Sequence, residues 1–173
     1  MNRTAKPSIT AIDWPLLVIG SLGLWLSGSL VVDLLVVPTL SATGMMAQPG
    51  FINAGHLLFS VFNHLELFFA AMVVSGCLCL GQQGFFSSQS QRWTGIAAIV
   101  LMAIALIYTY GLTPMITGFG FDMASFNSAG EMPTAMVSLH GLYWGLELVK
   151  LLTGVSLLRQ CYLDHFQWQA THE

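Results

Sequence analysis

The stretch HLLFSVFNHLELFFAAMVVSGCLCL, His56–Leu80, is apolar over more than the ~20 residues that a helix needs to cross a bilayer core, yet it carries two histidines, an asparagine and a glutamate. At about 100° per residue, His56 and Asn63 fall nearly in line, with His64 and Glu66 to either side of them. The polar residues share one broad half of the helix and leave the other to Leu, Phe and Val. A helix of this kind belongs in a membrane with its polar half turned toward other helices.

The rest of the chain agrees. Of 173 residues, 55% are hydrophobic and only 8% are charged, far from the composition of a soluble domain. Three more segments match the first in length, so the expected spans are 14–40, 52–80, 93–112 and 135–158. Residues 1–173 then form a single integral membrane domain, an all-α four-helix transmembrane bundle. The apolar stretch of span one is too long for a secretory leader and no A-x-A site follows it, so it is read as a retained span.

Arg3 and Lys6 precede span one, Arg92 lies between spans two and three, and Arg159 follows span four, whereas the loops 41–51 and 113–134 hold no Lys or Arg. The positive-inside rule is met on every loop if the N- and C-termini are cytoplasmic, in the cytoplasmic membrane or with the equivalent orientation in an internal one. Cys77, Cys79 and Cys161 fall on that reducing side, and no structural disulfide is expected. A formal net charge of −3 with dispersed basic residues argues against nucleic-acid binding.

The chemistry rests on polar groups inside the spans: Asp33, His64, Glu66, His140, Glu147 and Lys150, with His56 near a helix end. Each is costly in lipid, so all are expected to face the bundle interior. In LHGLYWGLELVK, His140 and Glu147 are seven apart on one face with Tyr143 between them. Glu147 and Lys150, at i and i+3, are expected to form a structural ion pair. The inferred topology puts Asp33, His56, His64, Tyr108, Tyr110 and His140 in one layer of the membrane. With Asn63, Glu66 and Glu147 they make up the candidate ligand-binding set.

Such a layer can ligate a haem or transition metal, pass a proton or small ion, or fix helix packing through hydrogen bonds. His64 and His140, at matching depth, are the candidate metal pair. Cys77 and Cys79 suit a soft metal but lie at the opposite face from the histidines. No phosphate loop, nucleophile elbow or zinc-protease signature occurs, and no nucleophile, base and orienting group stand at diagnostic spacing. Three function classes stay open: a small-ligand or ion-handling membrane protein, an assembly subunit of a larger membrane complex or homo-oligomer, and a membrane-embedded redox enzyme.

In span one Gly23 and Ser27 form a small-xxx-small step expected to admit a neighbouring helix. Pro114 is expected to mark the end of span three.

GLWLSGSLVVDLLVVPTL in span one, HLLFSVFNHLELFF in span two, YTYGLTPMI ending span three and SLHGLYWGLELVKLLTG in span four together resemble the transmembrane protein 205-like family of small four-span membrane proteins. Trp25, Gly28, Pro38, Pro114, His140 and Gly141 carry the resemblance, which covers most of the chain. It implies a four-helix integral membrane fold and no established reaction, cofactor or substrate.

Overall fold

The computed structural model describes residues 13–45, 50–125 and 134–172. Four long helices account for nearly all of them: α1 (Trp14–Ala42), α2 (Phe51–Gln82), α3 (88–125) and α4 (Thr134–His172). All four are long and apolar enough to cross a membrane, and the chain is a multi-pass membrane protein.

Pairings along each seam show that neighbouring helices run antiparallel. Ser21 meets Met72 while Ser29 meets Glu66, and Asn63 meets Thr113 while His56 meets Thr117. Ser90 meets Asp164 while Tyr108 meets Glu147, closing the α3–α4 seam in the same sense. The helices pack in the cyclic order α1, α2, α3, α4, which leaves α2 and α4 on a diagonal with no backbone approach between them. Up-down-up-down topology follows from short connections between antiparallel neighbours.

The helix starts are written locally. Asp13 accepts a hydrogen bond from the Leu16 amide and Pro15 sits in the first turn, where its missing N–H costs nothing. Gln83 to Ser87 join α2 to α3. Gly84 takes a positive φ of 69° there, and the Ser87 hydroxyl caps α3 by accepting from the Ser90 amide. Phe86 turns back into the core.

Interior positions repeat with the spacing of a helix seam. On α2 they are Asn63, Glu66, Ala70, Val73, Cys77 and Leu80, and on α4 Glu147, Lys150, Gly154, Leu157 and Cys161. Exposed Leu16, Leu24, Leu57, Leu65, Leu148 and Leu152 cover the outside, as a lipid-facing surface requires. Close approach occurs at other positions than the expected Gly23 and Ser27. Gly23 has nothing near it and Ser27 is exposed, whereas a Cβ on Gly76 would lie 2.2 Å from Val18 Cγ2 and one on Gly154 would lie 2.7 Å from Leu26 Cδ2.

Span three does not end at Pro114. The helix continues to Ser125 because residues Tyr108–Leu112 form a π turn, in which the Thr113 amide bonds to the carbonyl of Tyr108 five residues back. That extra residue per turn accommodates the proline, whose ring would clash with the carbonyl four residues back in a regular helix. The same device recurs in α1: Val32–Val36 form a π turn closed by the Val37 amide on Val32, immediately before Pro38. One π turn carries Asp33, the other Tyr108.

Candidate functional site: a buried carboxyl and lysine centre

Trp25, Ser29 and Asp33 follow one another at four-residue steps along α1, one turn apart on the face that meets α2 and α4. Opposite them are Glu66 on α2, Tyr108 on α3, and Tyr143, Glu147 and Lys150 on α4. Glu66 and Lys150 fall at the midpoints of Phe51–Gln82 and Thr134–Phe166, so the cluster occupies the middle of the bundle. Glu66, Glu147 and Lys150 are each 1% exposed and Asp33 is 5% exposed.

Lys150 Nζ forms an ion pair with Glu66 Oε1 and another with Glu147 Oε2 at 2.7 Å. Glu66 Oε1 also accepts from the Trp25 indole N–H at 3.0 Å and the Ser29 hydroxyl at 3.1 Å. The Tyr108 hydroxyl lies 3.1 Å from both Glu147 Oε2 and the Tyr143 carbonyl, and the Tyr143 hydroxyl donates to Asp33 Oδ1 at 3.1 Å. The two tyrosine rings stack with centroids 5.0 Å apart, and Lys150 Nζ sits 5.3 Å from the centroid of the Tyr108 ring. Charged side chains near mid-membrane each cost about 2.5–3.5 kcal/mol by insertion scales, and pairing them is what makes the arrangement tolerable.

The pairing does not balance. Asp33, Glu66 and Glu147 set three carboxyls against one ammonium, a formal excess of two negative charges if all are ionised. Asp33 Oδ2 and Glu147 Oε1 are buried with no hydrogen-bond partner among the described residues. Tyr108 and Tyr143, whose rings stack, each bond to one of these two carboxyls and so hold Asp33 and Glu147 in one cluster.

From this centre a polar seam runs between α2 and α3. Thr109 Oγ1 lies 3.4 Å from the Asn63 carbonyl, and the Asn63 amide donates to Thr113 Oγ1 at 2.6 Å. Thr117 Oγ1 lies 3.2 Å from Nδ1 of the exposed His56. Asn63 is one turn from Glu66, so the seam leads from the bundle end at His56 down to the charged centre.

Of the sequence-derived set, Asp33, Glu66, Tyr108 and Glu147 meet in one cluster, with Asn63 and His56 on the seam beside it. Tyr110 is exposed and takes no part. The expected inward pair of His64 and His140 is not formed. Both are exposed, and each Nδ1 contacts its own helix, His64 at the Ser60 carbonyl (2.7 Å) and His140 at the Met136 carbonyl (2.9 Å). The reasons differ. His64 is one residue, about 100°, off the buried α2 stripe. His140 is on the α4 stripe, but no residue from Thr134 to Leu142 is buried, so the stripe is not covered at that end of the helix among the described residues. The two residues also belong to the diagonal pair α2 and α4. Among the described residues no group of three or more His, Cys, Asp and Glu side chains is arranged to hold a metal ion.

The Glu147 to Lys150 ion pair is present, but it is half of a three-membered bridge. Trp25, Ser29 and Tyr143 are members that site reasoning from the sequence passes over. The four-residue spacing of Trp25, Ser29 and Asp33 is the signal that would have found the first two. A second polar cluster joins Ser90, Gln160 and Asp164 toward the chain termini, and the buried thiols of Cys77 and Cys161 are neighbours in the core.

Comparison of the chain with family models, with curated proteins and with solved structures finds no match.

Proposed function

We propose that this membrane protein handles a small ion, in the first place a proton, at the centre built from Asp33, Glu66, Tyr108, Tyr143, Glu147 and Lys150. The observation that carries this reading is the excess of buried carboxyls over the single lysine at mid-membrane depth. Intramembrane ionisable residues mark ion and proton paths more often than packing, since pairs of apolar residues would pack at lower cost. The seam of Thr109, Asn63, Thr113, Thr117 and His56 supplies a line of hydroxyl, amide and imidazole groups from one end of the bundle toward Glu66. The ion-handling role thereby moves from His64 and His140 to the carboxyls, with His56 at the mouth. Orientation with both termini cytoplasmic, in the cytoplasmic or an internal membrane, rests on Arg3, Lys6, Arg92 and Arg159. Membership of the transmembrane protein 205-like family rests on the four-span pattern and the short motifs around Trp25, Pro38, Pro114 and His140, and brings no activity with it.

The test is proton flux into liposomes carrying the purified chain and an internal pH dye. Wild type is expected to dissipate an imposed pH gradient faster than protein-free vesicles, and Glu147→Gln is expected to remove the difference. Wild-type vesicles no leakier than empty ones would sink the reading. In that event the second reading takes over, a packing element of a larger membrane assembly, favoured by the full engagement of Lys150 with partners on α2 and α4. Subunits that co-purify in mild detergent would support it.

A further inference from the structure

We propose that Asp33 and Glu147 share one exchangeable proton, held between Asp33 Oδ2 and Glu147 Oε1. The proposal rests on the reading of this centre as proton-handling and names the pair that carries the proton.

Glu147 Oε2 receives Lys150 and Tyr108, and Asp33 Oδ1 receives Tyr143. The remaining oxygens, Glu147 Oε1 and Asp33 Oδ2, have no donor among the described residues, and both residues are more than nine-tenths buried. An ionised carboxylate is an acceptor only, so two of them cannot satisfy one another. One proton changes this at a stroke: the protonated carboxyl donates and the other accepts, and two orphaned acceptors become one hydrogen bond. Like-charged carboxyls buried in one cluster cannot both ionise cheaply, the situation in which a pair holds a proton in common.

The neighbours support this division of roles. Glu66 meets Lys150, Trp25 and Ser29, more donors than either of the other two carboxyls has. The charged and titratable groups around the pair are Glu66 from α2, Tyr108 from α3, and Tyr143 and Lys150 from α4. Only Lys150 is cationic, and it reaches Glu147 and not Asp33. The Tyr143 hydroxyl donates to Asp33 Oδ1, and the Tyr108 hydroxyl is shared between Glu147 Oε2 and the Tyr143 carbonyl, so neither lies at the two orphaned oxygens. On uptake an O–H bond forms on one of the two facing oxygens with a proton taken from water, and on release that proton returns to water. No electron moves and nothing else is consumed.

Infrared difference spectroscopy of the full chain in lipid nanodiscs, exchanged between neutral and alkaline buffer in light and heavy water, tests the pair. The expected wild-type result is a protonated-carboxyl C=O band at neutral pH that shifts in heavy water and is lost on the alkaline side. Asp33→Asn and Glu147→Gln should each abolish it, and Glu66→Gln should leave it in place. A heavy-carbon label on aspartate carboxyls alone, or on glutamate carboxyls alone, should shift the wild-type band in both cases, and this arm needs no variant to fold. A missing wild-type band, a band that survives either Asp33→Asn or Glu147→Gln, or one that responds to only one label overturns the proposal. An exchanging band without vesicle flux would remove the transport reading and leave the pair standing. Flux without the band would do the reverse.

Discussion

Lys150 on α4 reaches Glu66 on α2 across the diagonal of the bundle, between two helices whose backbones do not approach each other. Long side chains make this contact feasible, and it ties together two helices that share no seam. Replacing Lys150 with Met should therefore remove more than a surface ion pair would. It strands Glu66 and Glu147 without their cation, and breaking a buried pair on one side costs about 3–5 kcal/mol. Unfolding in detergent, followed by circular dichroism, should register that loss, and Lys150→Met combined with Glu66→Gln and Glu147→Gln should recover much of it. A Lys150→Met protein as stable as wild type would show that the lysine is not engaged as described.

Trp25 does two jobs, filling core volume and donating to Glu66 Oε1. Trp25→Phe keeps an aromatic ring and removes the donor, so the expected loss is about 1.5–3 kcal/mol, the range for a hydrogen bond to a charged group. Repeating the substitution in a Glu66→Gln background should shrink the effect. An equal loss in both backgrounds would assign the whole effect to packing.

The α1–α2 seam is tight at Gly76, where an added methyl would collide with Val18 Cγ2. Gly76→Ala is expected to destabilise by about 1–3 kcal/mol through overpacking, and Val18→Ala in the same chain should relieve it. Gly23→Ala, with open space around it, should cost nothing measurable. The pair of measurements decides which small residues set the helix spacing.

Architecture was legible because apolar length and composition declare a membrane span without any tertiary information. The site was only partly legible. Asp33, Glu66, Tyr108 and Glu147 could be named because ionisable or phenolic groups in a span draw attention by type. The histidines drew the same attention and misled, since residue type says nothing about face. The stripe of Asn63, Glu66, Ala70 and Val73 would have set His64 aside, but its phase is visible only once one inward residue is known. The Glu66 to Lys150 bridge could not be read at all. Spacing on a single helix reveals partners three or four residues away, such as Glu147, and is silent about a diagonal neighbour. The extension of α3 past Pro114 was missed for a local reason: a proline reads as a stop unless a π turn precedes it.

His64→Ala and His140→Ala are expected to change stability by no more than about 0.5 kcal/mol each, as exposed substitutions away from caps and networks do. Among the described residues their rings hydrogen-bond to carbonyls of their own helices. His56→Ala should differ from both by weakening the outer end of the α2–α3 seam at Thr117. Proton flux measured in the three variants should fall in His56→Ala alone. A stoichiometric metal or a haem lost in His64→Ala and His140→Ala would overturn this division.

Tyr108 and Tyr143 give the last and most discriminating expectation, because their stacked rings hand a hydroxyl to each member of the carboxyl pair. Tyr108→Phe leaves Glu147 Oε2 with Lys150 as its remaining partner, whereas Tyr143→Phe leaves Asp33 with no donor outside the carboxyl pair. A buried acceptor deprived of its donor costs about 1–3 kcal/mol, so Tyr143→Phe should be the more damaging change. The double variant should not show the sum. The two carboxyls belong to one cluster and the two rings are in contact, and residues that share a network couple by about 0.5–3 kcal/mol. Unfolding free energies for wild type, both single variants and the double variant complete the cycle. Strict additivity would mean that Asp33 and Glu147 behave as separate groups, and the idea of a jointly held proton would lose its structural basis.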